Sequence, residues 1–191
     1  MHPLADPRVP GLLLKIDGDL AAEVRAGGCP FCGGPLHSAV YPRKPRGGPT
    51  ELSDDYDVRQ SFCCAREGCR RRATPPSVRF LGRRVYLGAI VVLASAMQQG
   101  VTPTRASRLR ELLGVSLRTL ARWREWWKTA FVESAFWKVA KTFLSPAVLE
   151  SGLPHSLLER FGPDEEERLV ALLRFVRQLS TAGGYIPDQR F

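Results

Sequence analysis

Cys29-Pro30-Phe31-Cys32-Gly33-Gly34 and, with 31 residues between Cys32 and Cys64, Cys64-Ala65-Arg66-Glu67-Gly68-Cys69 decide how this chain is read. Two thiolates three positions apart on a tight turn can grip one tetrahedral ion, and glycine just after them lets backbone amides turn toward the sulfurs. The second pair has a wider spacing, again with a glycine. The intervening residues are enough for a β-hairpin that folds the two knuckles together. Cys29, Cys32, Cys64 and Cys69 are therefore expected to hold one structural zinc ion in a four-cysteine zinc ribbon, with no open position for water activation. Cys63 and Cys64 are neighbours on a strand and point to opposite faces, so only one of them is a ligand. The spacing to Cys69 favours Cys64 and leaves Cys63 as a small core residue. His37, on a strand, is a substitute ligand or a surface histidine. A redox pair at Cys29 and Cys32 lacks the βαβ setting it needs.

Outward from the knuckles, residues 1–26 read as a leader with one short apolar patch, and residues 27–82 as the ribbon. Leu36–Tyr41, Tyr56–Phe62 and Ser77–Phe80 have extended character, separated by a Pro- and Gly-rich loop over 42–55. Residues 83–131 are helical. One helix spans Tyr86 to Gln99, and Thr102-Pro103 opens a second that runs to about Leu112. Gly114 makes a turn, and Ser116 caps a third helix. Leu109, Leu113, Val115, Leu120 and Trp123 have the spacing that packs two helices across such a turn. Leu120, Trp123 and Trp127 then face inward, with Arg118, Thr119, Arg122 and Trp126 outward, as on a helix that enters a major groove. Ser116, Arg118, Thr119 and Arg122 are the expected DNA contacts of this helix-turn-helix. Arginine can read guanine edges, and threonine a phosphate or a thymine methyl. The ordinary alternative is a helical hairpin with a basic face.

Charge placement points the same way. The formal charge is +9 with a pI near 9.8. Cys63 to Lys128 holds 14 basic residues and three acids, a net +11, whereas the flanking thirds are each slightly acidic. Arg70, Arg71, Arg72, Arg83 and Arg84 add phosphate contacts beside the helix. No secretory signal is visible, and the longest apolar run, Val85 to Met97, is too short to span a bilayer. A cytoplasmic, nucleoid-associated protein is expected, and five cysteines in such a chain point to metal before disulfide.

Residues 132–191 form a helical tail. Ser134 caps a helix through Phe143 after a break near 132–134, and a last helix runs from about Asp164 to Leu179. Its acidic start, Asp164 to Glu167, complements the positive helix N-terminus and is not read as a catalytic cluster. The apolar stripes Val132, Phe136, Val139, Ala140, Phe143 and Leu169, Leu172, Leu173, Val176, Leu179 are either core or a docking face for a transposase or a second copy of the chain. Glu51, Asp54, Asp55 and Asp57 have no scaffold for two-metal chemistry, so no enzyme activity is expected.

Residues 112–123 are similar to the homeodomain-like helix-turn-helix of bacterial insertion-sequence transposases and recombinases. Cys29–Cys69, continuing through Arg70-Arg71-Arg72 to Phe80, resembles the zinc ribbon that precedes the DNA-binding part of such elements. As a whole the chain resembles small zinc-ribbon proteins encoded beside integrase-type transposases. Arg110 departs from the pattern, where a small residue usually stands four positions before the turn glycine. The expectation is a mainly α protein with a small β zinc ribbon. Its expected role is sequence-specific duplex DNA binding, as an accessory or regulatory factor of a mobile element. A stand-alone transcription regulator and an RNA-binding zinc-ribbon protein are the alternatives.

Overall fold

A computed structural model describes residues 8–43, 46, 53–81, 86–96, 107, 110–111 and 115–181. The chain is about 54% helical, with a small antiparallel sheet. Among the described residues no helix is long and apolar enough to cross a membrane.

The stretch read as a leader is instead a 20-residue helix, α1 (Arg8–Gly27). Val9, Leu13, Ile16, Asp17 and Ala21 are buried along one face, a helical spacing that the single polar member disguises in the sequence. Gly28, with φ +74°, ends the helix in the left-handed conformation that glycine adopts without steric cost. The chain then passes directly into the first knuckle.

The strands are short: β1 (Leu36–Ser38), β2 (Tyr41–Pro42), β3 (Val58–Arg59), β4 (Phe62–Cys64) and β5 (Arg72–Ala73). They form a three-stranded antiparallel sheet in the order β1-β4-β5 and a separate β2-β3 pair. Leu36–Tyr41 is thus two strands, not one. Tyr56 lies in a 3₁₀ turn (Asp54–Asp57), where its side chain is buried. The expected strand at Ser77–Phe80 is not a strand. Phe80 makes a lone bridge to Leu87, and the Asp17 side chain of α1 holds the segment instead, while Arg72–Ala73 supplies the third strand.

The helices α2 (Gly88–Ala96), α3 (Leu117–Lys128), α4 (Ala135–Ala140), α5 (His155–Leu158) and α6 (Glu165–Val176) follow. Ala89, Ile90, Val91, Val92 and Ala94 are all buried, as befits a central helix that is apolar on every side. Tyr86 and Leu87, expected inside that helix, sit in bridges before it. The expected helix over 102–112 and the Gly114 turn lie outside the described residues, except that Ser107, Arg110 and Glu111 are helical. Ser116 caps α3 by accepting from the Thr119 amide at 3.2 Å. The chain leaves α3 at Thr129, slightly before the expected break, and Ser134 caps α4 by accepting from the Trp137 amide. Asp164 caps α6 with three glutamates in its first turn.

One hydrophobic cluster runs from Val9 in α1 through α2, α3 and α4 to Val176 in α6. Its aromatic centre is Trp127, Phe131, Phe136 and Trp137, with ring centroids such as Trp127–Phe131 4.7 Å apart. Both tail stripes turn largely into this core: Phe136, Ala140, Leu169, Leu172, Leu173 and Val176 are buried. Val139, Phe143 and Leu149 stay in solvent. A second, smaller cluster lies around the cysteines. The two share α1, whose first half packs in the large cluster and whose Ala21 and Val24 pack in the small one.

Candidate metal centre

The knuckles close in the same way despite their different spacings. In the first, the Cys29 amide donates to the Gly34 carbonyl at 2.8 Å, and the Gly33 amide donates to the Cys29 carbonyl at 2.8 Å. In the second, the Cys64 amide donates to the Arg71 carbonyl at 2.9 Å, and the Arg70 amide donates to the Arg66 carbonyl at 3.1 Å. The residue after the last cysteine is left-handed in both, Gly33 at φ +67° and Arg70 at φ +48°.

These turns bring the Sγ atoms of Cys29, Cys32, Cys64 and Cys69 within 4.8 Å of one another. Cys29–Cys69 is 3.7 Å and Cys32–Cys64 is 3.5 Å. A tetrahedral ion with metal–sulfur bonds of about 2.3 Å requires sulfurs roughly 3.8 Å apart. Those separations are far beyond a disulfide bond, and all five cysteines are free thiols. The cluster can therefore hold one metal ion. The position of Gly34 supports the fit. A Cβ there would stand 3.3 Å from the sulfurs of both Cys32 and Cys64 and would press on them, so glycine keeps this room open.

The electrostatics are those of a site arranged for a cation. The Phe31 amide, opposed by burial and helped by the Cys32 amide, brings Cys29 down to about 7. At Cys64 the Arg66 amide pulls downward, but burial and the three neighbouring thiols outweigh it and push the group up to about 12. Cys69 also moves up: the Arg71 amide lowers it, and burial beside Cys32 and Cys29 prevails. Thiolates gathered this closely repel one another, and a divalent ion removes that penalty by displacing protons. Two of these groups lie above neutrality, Cys64 and Cys69. Metal loading near neutral pH should therefore release at least about two protons, and as the pH is lowered affinity should fall roughly tenfold per pH unit for each proton displaced. Competition with a chromophoric chelator at about pH 6 and about pH 8 tests this, and a pH-independent affinity contradicts it.

Cys63 takes no part. It lies on the opposite face of β4 from Cys64, between His37 on β1 and Arg72 on β5, and its thiol approaches the Arg70 carbonyl at 3.4 Å. The face is right but the expected burial is not, because Cys63 is half-exposed and outside both clusters. His37 is an exposed strand residue.

The expected nucleic-acid contacts divide. Ser116, Arg118 and Arg122 are exposed on α3, and Arg70, Arg71 and Arg72 are exposed at the sheet. Arg83 and Arg84 lie outside the described residues. Thr119 is a correction: it is buried at 8% exposure, and its hydroxyl lies 3.0 Å from that of Ser116, so it belongs to the cap and the inner face. Trp126 is half-buried and packs edge-on against Trp127. Arg79, one of the basic residues of the central stretch, is buried against Asp17 and contributes nothing to a surface field. Arg66 was missed. It donates to the Cys32 carbonyl at 3.3 Å and stands exposed beside the first knuckle, for which its place inside a knuckle was the available signal. Comparison with protein-family models, with curated proteins and with solved structures finds no match.

Proposed function

We propose that this is a zinc-dependent, sequence-specific duplex DNA-binding protein, an accessory or regulatory factor of a mobile element. The observation that carries the reading is the outer face of α3. Leu120, Trp123 and Trp127 anchor the helix in the core, while Arg118 and Arg122, one turn apart, project into solvent near its capped N-terminus. Helices that read a major groove present the side chains of their first turns in this way, and arginine can bind guanine bidentately. Leu117, 56% exposed, adds an apolar contact on the same solvent side. Four thiolate donors at tetrahedral spacing suit zinc among the common ions, and a fully sulfur-coordinated site is structural. A stand-alone transcription regulator would use the same parts. A transposase or second copy would meet Val139, Phe143 and Leu149 rather than the buried tail stripes.

The test is selection of bound duplexes from a random pool, followed by titration at several salt concentrations. Each phosphate contact should add about 0.9 to the log–log salt slope. Arg118→Ala and Arg122→Ala should each cost roughly 1–3 kcal/mol on the selected site and relax its sequence preference. Salt-independent binding, or full preference retained in both variants, rejects the reading.

A further inference from the structure

Phe31 is an anomaly in its surroundings. Leu36 and Phe62, packed beside the sulfurs, are each 4% exposed, yet Phe31 is 56% exposed. It lies between Cys29 and Cys32, on a backbone that the sulfurs and the knuckle hydrogen bonds hold in place. One guanidinium lies over it, and other arginines belong to the same two knuckles. The Arg71 guanidinium carbon is 4.6 Å from the ring centroid. Arg66 is fastened to the Cys32 carbonyl, and exposed Arg70 follows Cys69. Among the described residues none of Arg66, Arg70, Arg71 or Arg72 forms a salt bridge, and Glu67 is the one acid of the second knuckle.

We propose that this knuckle tip is a platform for single-stranded DNA, with an unpaired base stacked on Phe31 and the adjacent arginines on its flanking phosphates. A rigid exposed ring beside unpaired cations is the combination that single-strand sites use, because every base offers a π face and every nucleotide a negative charge. Arginine over one face of the ring leaves the other to a base, and its own plane can extend the stack. Base faces within a duplex are covered by their neighbours, so the ring selects unpaired strands. The polar groups here are guanidiniums, which meet phosphate oxygens, and none is positioned to require a 2′-hydroxyl; DNA is the occupant proposed, and preference for RNA is an outcome the test separates. This site goes beyond the duplex reading of α3 and does not rest on it.

The metal-loaded full chain is titrated with a short single-stranded DNA carrying 2-aminopurine, the matching RNA and a blunt duplex. Stacking should change the 2-aminopurine emission, and Phe31→Ala should weaken single-strand binding by roughly tenfold. Phe31→Leu fills the same space without a π face and should lose as much, whereas Phe31→Tyr should restore binding. Metal content should be unchanged in the Leu and Tyr variants, and their duplex binding should equal that of the parent. Absence of single-strand binding, binding indifferent to Phe31→Leu, or tighter binding of the RNA overturns the proposal. Phe31-dependent single-strand binding without any duplex binding supports it and rejects the duplex reading alone.

Discussion

Cys64→Ser is expected to abolish metal binding and unfold the sheet around the site, while Cys63→Ser keeps both. The two residues are adjacent, and a difference this large between them follows from strand geometry. Cys64 is fully buried with its sulfur 3.5 Å from that of Cys32, whereas Cys63 faces away from the cluster. The magnitude follows from how little else supports this end of the molecule. Its buried cluster consists of Ala21, Cys29, Leu36, Phe62, Cys64 and Ala73, so two of its six members are themselves ligands. Two small alanines, one leucine and one phenylalanine are too small an apolar core to hold this sheet by themselves, so the metal supplies much of what orders it. A structural zinc site contributes about 10–16 kcal/mol at neutral pH, more than a typical domain's net stability. Native mass spectrometry should show one metal ion in the parent and in Cys63→Ser, and none in Cys64→Ser. Retention in Cys64→Ser with loss in Cys63→Ser would reverse the ligand assignment.

The large helical core should outlast that loss, because only α1 is common to both clusters. Chelation is therefore expected to remove sheet signals first, in a transition separate from that of the helices. This division also marks what could be read before the fold was known. Cysteine spacing alone picked out the four sulfurs that the structure gathers, since two turns that each present two thiols leave few other arrangements. Local signals served equally well where a side chain acts on its own backbone, as at the caps Ser116, Ser134 and Asp164. Most of the failures are residues whose role is set by distant partners. α1 was missed because Asp17 breaks its apolar face, and the partner that makes Asp17 a core residue is 62 positions away. Thr119 is an exception with a local cause: it stands between polar Arg118 and Arg122, but Trp123 and Trp127, four and eight positions on, place it on the inner side. Arg79 was counted among surface charges because composition carries no record of burial.

Asp17→Ala is expected to be the most destabilising single change outside the metal site, costing about 3–5 kcal/mol. Asp17 and Arg79 are both 1% exposed and meet at 2.8 Å. The Asp17 carboxylate also accepts from the Ser77 hydroxyl at 2.6 Å and the Val78 amide at 2.7 Å. Arg79 donates onward to the carbonyls of Tyr56 at 2.8 Å and Val58 at 3.0 Å. The pair thus joins the middle of α1, the 3₁₀ turn leading into β3, and the segment where a strand was expected. Ser77 extends it to the C-terminal side, its amide donating to the Ser180 hydroxyl at 2.7 Å. Removing the carboxylate leaves a buried guanidinium with no counter-charge, together with two orphaned donors. Each such loss has a recognised cost, and the isolated charge is the largest. Asp17→Asn separates the contributions: it keeps an acceptor for Ser77 or Val78 but not the charge, so most of the loss should remain. The double variant Asp17→Leu/Arg79→Met exchanges the pair for apolar side chains and should recover much of the stability, because the burden is the unpaired ion rather than the absence of the bridge. Urea unfolding of the metal-loaded chain, followed by a signal from the helices, measures all three. A loss below about 1 kcal/mol in Asp17→Ala would mean that water reaches Arg79 and that the network is not a buried one. A double variant no more stable than Asp17→Ala would show that the hydrogen bonds to Ser77, Val78, Tyr56 and Val58, not the charge, hold α1 against the sheet.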